Sequence, residues 1–527
     1  DPLCGQSNVS FNQLVISIDF DLGGNPGAVA IRNPGAQGAT IEDVRINAKG
    51  AFAGLFNPPG QAGGSYNVEI EGGQYAVYLE PVKRRQQGKF IIITGCSFKN
   101  QKKAVFNINL SHPMVVVGFH IVKDKGPVNI GLARDGLSLI DGVIELNGGQ
   151  AISGTDRSIF MRNIYVKGAN EITEGWKVEN PEIVTWVKEY SRCGNGSRNI
   201  VNGEVNTEDY QSASLLSDVS LKTLARDLIS KHVWDEEFPH FETEGVVDVT
   251  DPEMMNGNPA IGDGQTDDSN ALEYAIANYD KIFLPSGRYT ISRTLILEKN
   301  TQLFGASKSF ASISASRDNW TSGSDAPLIE TVDDPDATTI LANVSVRARG
   351  NYLSWRAGKN SMVRSVGGGT TWISGNGGGR WWAFSNVGSQ LMAHGIDQGL
   401  SMYATNPERA RDPEWEIKDS ENVRLYYVKT EAGTDGHSVM TSLRIRNSKN
   451  IGVFGSTGNV TLEGTDGMGM IEVIDSDDIV VVHANPFKQG TDWYTFKEIF
   501  KRTQNGIPST EKLALYKRGI LPPDENY

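Results

Sequence analysis

Cysteine is nearly absent from this chain: Cys4, Cys96 and Cys193 are the only three among 527 residues. No Cys-X-X-Cys pair or Cys/His cluster occurs, so a thiolate zinc site has nothing to be built from. At most one disulfide fits. Long apolar runs are missing too. "MVVVGFHIV" is short and carries His120, far from the roughly 20 apolar residues that cross a bilayer. There is no surplus of positive charge. A net charge of −13 argues against a nucleic-acid binder, which would carry a basic face. It also disfavours a polyanionic partner, unless one local basic groove reverses the field. Gly-X-Ser-X-Gly, a Cys/His pair and His-Glu-X-X-His are all lacking, which removes the esterase, thiol-protease and zinc-protease classes. No signal peptide precedes Asp1, and the abrupt start reads as that of a processed or trimmed chain.

What is abundant is glycine (58 residues) and short β-rich runs. The length exceeds one typical core, so more than one domain is expected. "IKDSENVRLYYV" from Ile417, "IRNSKNIGVFGS" from Ile445 and "VIDSDDIVVVHA" from Val473 align without a gap. Each has β-rich ends around a Ser-X-Asn/Asp turn. Such periods mark stacked units that bury their apolar faces on one another. The first 170 residues repeat more loosely, through "ATIEDVRINAKG", "YNVEIEGGQYAV", "FIIITGCSFKN", "MVVVGFHIVKD", "LSLIDGVIELNGG" and "IFMRNIYVKG". A meandering sandwich would not keep a residue-level register over successive coils, so a parallel β-helix is expected. Between the arrays, "SDVSLKTLARDLISKHVW" places Leu221, Leu224, Ala225 and Leu228 on one helical face, with Ser217 or Asp218 as cap.

"IGDGQTDDSNALEYAI", residues 261–276, has the look of a metal or phosphate loop. Counted from Asp263, the calcium-loop positions 6 and 12 fall on Asp268 and Tyr274 rather than Gly and Glu. No Gly-Lys-Ser/Thr follows for a phosphate. Ser269, an N-cap candidate, instead leads Ala271, Leu272, Ala275 and Ile276 at helical spacing, and then come "KIFLPSGRYTI" and "TLILEKNTQLFG". The acids are expected to make turns and caps at the start of a second solenoid.

This start, with the Pro-X-Gly-X-Tyr run behind it, resembles the pectate-lyase-type β-helix superfamily. Two such arrays in one chain resemble the family 55 glycoside hydrolases, tandem β-helix enzymes of β-1,3-glucans. The resemblance implies an all-β chain with two right-handed parallel β-helices packed side by side. They would occupy residues 1–170, lacking a Gly-Asp-Gly start of its own, and 261–485, with a partly helical linker at 171–260 and an extension at 486–527. Asn422-Val423 and Lys429-Thr430-Glu431 match the family's active-cleft pattern. Glu431 would be the general acid and Glu408 a second carboxylate handling the water or its proton. The chemistry asks for such a pair, one group protonating the leaving oxygen and one activating water.

Trp381 and Trp382 beside Arg380, among glycines, suit stacking under a pyranose, and strand alternation leaves only one of the two facing outward. Tyr403, Tyr427 and Trp415 are weaker candidates of the same kind. His394 and His437 have no His partner at metal spacing and read as structural. Where family 55 carries a Gly-Asn-Gln-Gln stretch, this chain has "GTDRSIFMRN", with Asp156 and Arg157 in place of amides. An arginine there suits a carboxylated or sulfated sugar.

The expected function is secreted, exo-acting, inverting hydrolysis of a β-1,3-glucan-like glycan, with no cofactor, metal, nucleic acid or membrane involved. A polysaccharide lyase on an acidic polymer, using Arg157 and Arg380, is the alternative, and a non-catalytic glycan-binding or tail-spike-like β-helix the third. Asn8, Asn109, Asn195, Asn319, Asn343 and Asn459 head Asn-X-Ser/Thr triplets, acceptors for glycans if the chain is exported by a eukaryote.

Overall fold

The computed structural model describes residues 13–35, 39–60, 63–80, 91–110, 113–124, 126–133, 136–153, 158–194, 196–234, 239, 242–323, 326–347, 352–359, 361–368, 382–385, 391–398, 413, 415–430, 441–458, 467–486 and 494–521. Two compact units divide the chain. One comprises residues 1–199, 205–238 and 523–527; the other comprises 200–204 and 239–522. Among the described residues the only α-helices are α1 (Leu221–Ser230) and α2 (Ser269–Asn278). The rest of the regular structure is strand, mostly parallel, so the chain is the all-β parallel solenoid that its repeats imply.

In the first unit the six repeat segments become strands Thr40–Ala48, Gly64–Gly72, Ile91–Lys99, Met114–Val122, Leu137–Glu145 and Ile159–Lys167, paired in parallel in chain order. Each strand bends at one level. Asp43, Asn67, Gly95, Gly118, Asp141 and Asn163 have φ between 49° and 67° there. Only glycine and the short Asn and Asp visit this left-handed region readily, so the bend dictates the residue type. The side chains also link coils: Asn67 Nδ2 donates to Asp43 Oδ1 at 2.6 Å and Asn163 Nδ2 to Asp141 Oδ1 at 2.7 Å. Inward positions such as Val44, Val68, Phe98, Phe119, Ile144 and Ile164 form one continuous core. A five-stranded sheet running from Val29–Arg32 to Asn129–Ala133 is the unit's other sheet. Antiparallel strands Val184–Arg192 and Tyr210–Leu216 end the stack.

Helix α1 lays Leu221, Ala225 and Leu228 against Val143 and Val184. Its N-cap is Ser220 rather than Ser217 or Asp218, because Ser217 donates its hydroxyl to Asp218 and the backbone turns helical only at the first buried leucine. Just past α1, buried His232 sits with Nε2 2.7 Å from Asp141 Oδ2, over the bend. A Cβ on Gly118 would lie 2.7 Å from the His232 ring, so this bend must be bare.

The second unit stacks three parallel ladders. One runs from Lys281–Leu284 to Asp477–Pro486. A second runs from Gly287–Ile291 through Ala311–Ala315, Ser345–Arg347 and Gly367–Gly368 into the end of Leu391–Gln398. The third runs from Leu295–Leu297 to Tyr494–Phe500. Helix α2 covers the first coils with Ala271, Leu272, Ala275 and Ile276, and antiparallel strands Thr503–Pro508 and Lys512–Arg518 close the far end. Such terminal covers keep the open end of a solenoid core out of water.

The gapless repeat is a physical register of 28 residues. Ser448 Oγ accepts from Ser420 N–H, and Ser476 Oγ from Ser448 N–H. Asn447 Nδ2 donates to Asp419 Oδ1 across the same step, and Asn450 Nδ2 to Asn422 Oδ1. Positions 419, 447 and 475, and 422, 450 and 478, all have positive φ, which explains why Asn and Asp recur there.

Candidate functional site

The 261–276 segment is architecture. Asp263 accepts from the N–H groups of Gln265 and Thr266 at 2.8 and 2.7 Å. Those bonds hold its carboxyl below the usual range. Asp268 reaches back to Ile261 N–H at 2.7 Å and Gly262 N–H at 3.3 Å, and across to Thr290 N–H at 3.2 Å. Burial nevertheless pushes its pKa up. Asp268 is also the N-cap residue of α2, so Ser269 is not the cap. Ser269 begins the helix, bonds Asp267 through its hydroxyl and receives Ser292 N–H at 2.9 Å. Among the described residues no group of three or more His, Cys, Asp or Glu could hold a metal.

Behind this segment lies a polar face. The second ladder carries, in register, Asp263, Arg288, Ser312, Ser345, Gly367 and Asp397. The column then passes onto the first ladder at Lys429, Thr457 and Asn485. Tyr289, Ile313 and Val346 between them belong to the core, so Arg288, Ser312 and Ser345 point away from it, Arg288 exposed and both serines buried, with Ser345 Oγ donating to Lys308 O. Gly264 has φ +78°, and a Cβ there would lie 2.7 Å from Arg288 Cδ. The second glycine of Gly-Asp-Gly thus makes room for the Arg288 stem. Two residues along, a parallel column holds Asp267, Thr290, Ser314 and Arg347. The sequence reading missed Arg288 and Arg347. They are 59 residues apart, and only the register brings them to one face.

Strand Glu421–Thr430 joins this column at Lys429 after a bend at Tyr427 (φ 67°), which stacks on the bends of Gly455 (φ 89°) and His483 (φ 52°). Glu431, the next residue in sequence, lies outside the described residues. So do Glu408, Trp381, Arg380, Tyr403, Asp156 and Arg157, as well as His437. Trp382 opens strand Trp382–Ser385, between Leu353 and Trp415 in the third ladder, and its side chain is not described.

Two weaker expectations change. Trp415 and Tyr427 are fully buried, Trp415 in the central core, so neither offers a face to a sugar. Asn422 and Val423 serve the coil, the first through its αL turn and ladder bond, the second in the core.

Residues 259–338 match the family model of rhamnogalacturonase A/epimerase, pectate lyase-like. This pectate-lyase-like stretch begins at the capped start and covers the first coils of the second unit. A curated relative, the pre-neck appendage protein of Bacillus phage B103, is 43% identical over 47 residues. That match spans 9% of this chain and 6% of the phage protein. Among solved structures, a variant of sacteLam55A from Streptomyces sp. SirexAA-E in complex with glucose aligns over 90% of this chain and 91% of its own, at 8% identity and a TM-score of 0.35. A variant of the PL6 family alginate lyase AlyGC aligns over 97% and 96%, at 11% identity and a TM-score of 0.22.

Proposed function

We propose that this chain is a polysaccharide-degrading glycoside hydrolase that works outside the cell, with Glu431 as general acid and Glu408 as the second carboxylate. The reading rests chiefly on the pectate-lyase-like stretch at 259–338 heading a parallel solenoid, a family named for enzymes acting on polysaccharides. It is supported by the column of register positions that reaches Lys429, at the end of the strand that precedes Glu431 in sequence. Hydrolysis needs no metal when one carboxyl protonates the leaving oxygen and another activates water. The expected reaction is exo-acting, inverting cleavage of a β-1,3-glucan-like backbone, with Trp381 or Trp382 under a sugar ring. Arg380, Tyr403, Asp156 and Arg157 would contact the substrate.

The test is a digest panel of laminarin, pectate, alginate and sulfated galactan with wild-type chain and Glu431→Gln. New reducing ends that vanish in the variant, without a change in melting, support the reading. Products absorbing as unsaturated uronates would replace it with β-elimination by a lyase. A second reading, a glycan-adhesive viral appendage without turnover, is favoured by the 43% identity to the phage appendage protein. Binding of a glycan with no cleavage of any panel member would select it.

A further inference from the structure

We infer that the outer face of the five-stranded sheet in the first unit is an accessory platform for a neutral glycan, built from Phe52, Phe56, Tyr75 and Tyr78, which holds the polymer without cutting it. The inference rests on the reading above that the ligand is a polysaccharide, and adds a second place where the chain takes hold of it.

The four rings come together through register. Ala53, Tyr75 and Ala104 pair in one column of the sheet, and Arg32, Phe56, Tyr78 and Asn107 in another. Leu55, Ala76 and Val77 of the same strands enter the solenoid core. Ala53, Tyr75 and Ala104 form a separate apolar cluster, with Phe52 and Tyr78 packed on it. Both alanines are fully buried, so they are the floor on which the rings lie. Phe52 stands 5.7 Å from Tyr75 and 4.8 Å from Tyr78, centroid to centroid, and Tyr75 stands 5.2 Å from Tyr78. Phe56 and Tyr78, one coil apart, are nearly parallel, at 5.3 Å and 28°.

The size of the patch selects its occupant. Phe52, Phe56 and Tyr78 are only half-buried. An aromatic side chain carries about 150–250 Å² of surface, so these rings still present on the order of 300 Å² to water. A stable contact with a second protein needs roughly 800 Å² per partner. The patch is too small for that and fits a few sugar rings, whose apolar faces stack on aromatic faces.

Polar groups rim the rings. Arg32 Cζ lies 5.5 Å from the Phe56 centroid and Lys103 Nζ 5.8 Å from that of Tyr75. Neither cation makes an ion pair among the described residues, and the hydroxyls of Tyr75 and Tyr78 bond no described residue. An apolar bed with a few hydrogen-bonding groups at its edge is the composition of a glycan or small-ligand site. Each cation lies against a ring whose face already offsets its charge, so the pair does not define an anion site. The five strands, "VAIR", "AGLF", "YAVY", "AVFNINL" and "NIGLA", contain no Asp or Glu. A glycosidic bond lying across them meets no carboxyl of theirs to protonate it, so this face binds and does not cleave.

Retention on insoluble β-1,3-glucan, cellulose, chitin and a pectate gel is measured at 50 and 300 mM NaCl, with the Glu431→Gln chain so that turnover does not release it. The expected result is retention on at least one neutral glycan that salt does not change and that Tyr78→Leu and Phe56→Leu each weaken at least fivefold. Leucine keeps apolar bulk in the cluster but removes the flat face, so lost retention at an unchanged urea midpoint separates stacking from folding. Phe310→Leu, at an exposed phenylalanine of the second unit, should change nothing. Arg32 is exposed, so Arg32→Gln tests the rim even if both leucine variants unfold, and should weaken retention at least twofold. Retention indifferent to these substitutions, or absent on every neutral glycan, overturns the platform. Retention on pectate alone, abolished at 300 mM NaCl, would assign the face to its two cations and overturn the stacking. A dimer in sedimentation that Tyr78→Leu dissociates would make the face a contact between copies and overturn it too. Cleavage is read separately, with the wild-type chain on soluble laminarin. Ring-dependent retention without cleavage overturns the hydrolase reading and leaves the platform standing, whereas cleavage without ring-dependent retention does the reverse.

Discussion

Replacing Asp268 with alanine tests whether the start of the second solenoid is held by its carboxylate. The side chain is buried and receives the N–H groups of Ile261, Gly262 and Thr290. Ile261 is exposed, so its N–H would rehydrate, whereas Thr290 is buried within its strand. With one to two donors left dry at about 1–3 kcal/mol each, the loss is roughly 3 kcal/mol. Removal of a buried carboxyl returns part of its desolvation cost, which brings the expected loss to about 2 kcal/mol. Asp268→Asn keeps one acceptor oxygen and should lose about half as much. Urea titration followed by hydrogen exchange reports each unit separately, through peptides from 259–290 and from 114–145. Because the folded pKa is raised, this carboxyl stabilises most below the unfolded value of 3.8 and less as pH rises through the folded one. The gap between wild type and Asp268→Ala should therefore narrow from acid toward neutral pH. A change under 0.5 kcal/mol, a gap that widens with pH, or a loss confined to the first unit would refute the argument.

Gly118→Ala places a Cβ against His232 at positive φ and should cost about 2–3 kcal/mol in the first unit, read as a lowered urea midpoint there. Burial raises the Glu498 carboxyl, but the bonds and charge of Arg518 and the bonds from Tyr516 and Asn505 outweigh it and leave the pKa below its usual 4.5. Its stabilisation is present above pH 4.5 and is lost as pH falls through the folded value, so Glu498→Gln should flatten the acid limb of the second unit's stability curve and leave the neutral slope alone. Asn450→Leu removes the αL-tolerant residue and the Oδ1 acceptor of Arg424 Nη2, and should lower the melting temperature more than Asn450→Gly, which keeps the backbone free.

Much of the fold was legible because stacking imposes sequence identity at fixed steps. Ser420, Ser448 and Ser476 repeat because the hydroxyls of Ser448 and Ser476 each accept the serine N–H of the preceding coil, and Asp419, Asn447 and Asp475 repeat because each bend has the same handedness. The first unit's spacing was readable, but its bend column was not. Asp43, Gly95 and Asn163 share a conformation and not a side chain, so residue-type alignment does not join them. The cap of α2 slipped by one residue because Asp268 and Ser269 are both good caps, and three-dimensional demand for the Asp268 carboxylate decided between them. On the candidate site, Trp415 and Tyr427 were aromatic in a suggestive neighbourhood, and burial, invisible locally, ruled them out. Arg288 and Arg347 meet only through two ladder pairings, a relation that no linear motif carries.

The 28-residue register also makes the second solenoid a ruler with interchangeable rungs. Excision of residues 445–472 joins Arg444 to Val473, and every serine, asparagine and core position finds an equivalent neighbour. Removal of one residue fewer would turn each following side chain to the wrong face. Descendants of such a chain can change length by duplicating or dropping whole rungs while both end covers stay as they are. The distance between the strand before Glu431 and the antiparallel cover at Thr503–Pro508 and Lys512–Arg518 is then itself a heritable variable, adjustable in steps of one coil.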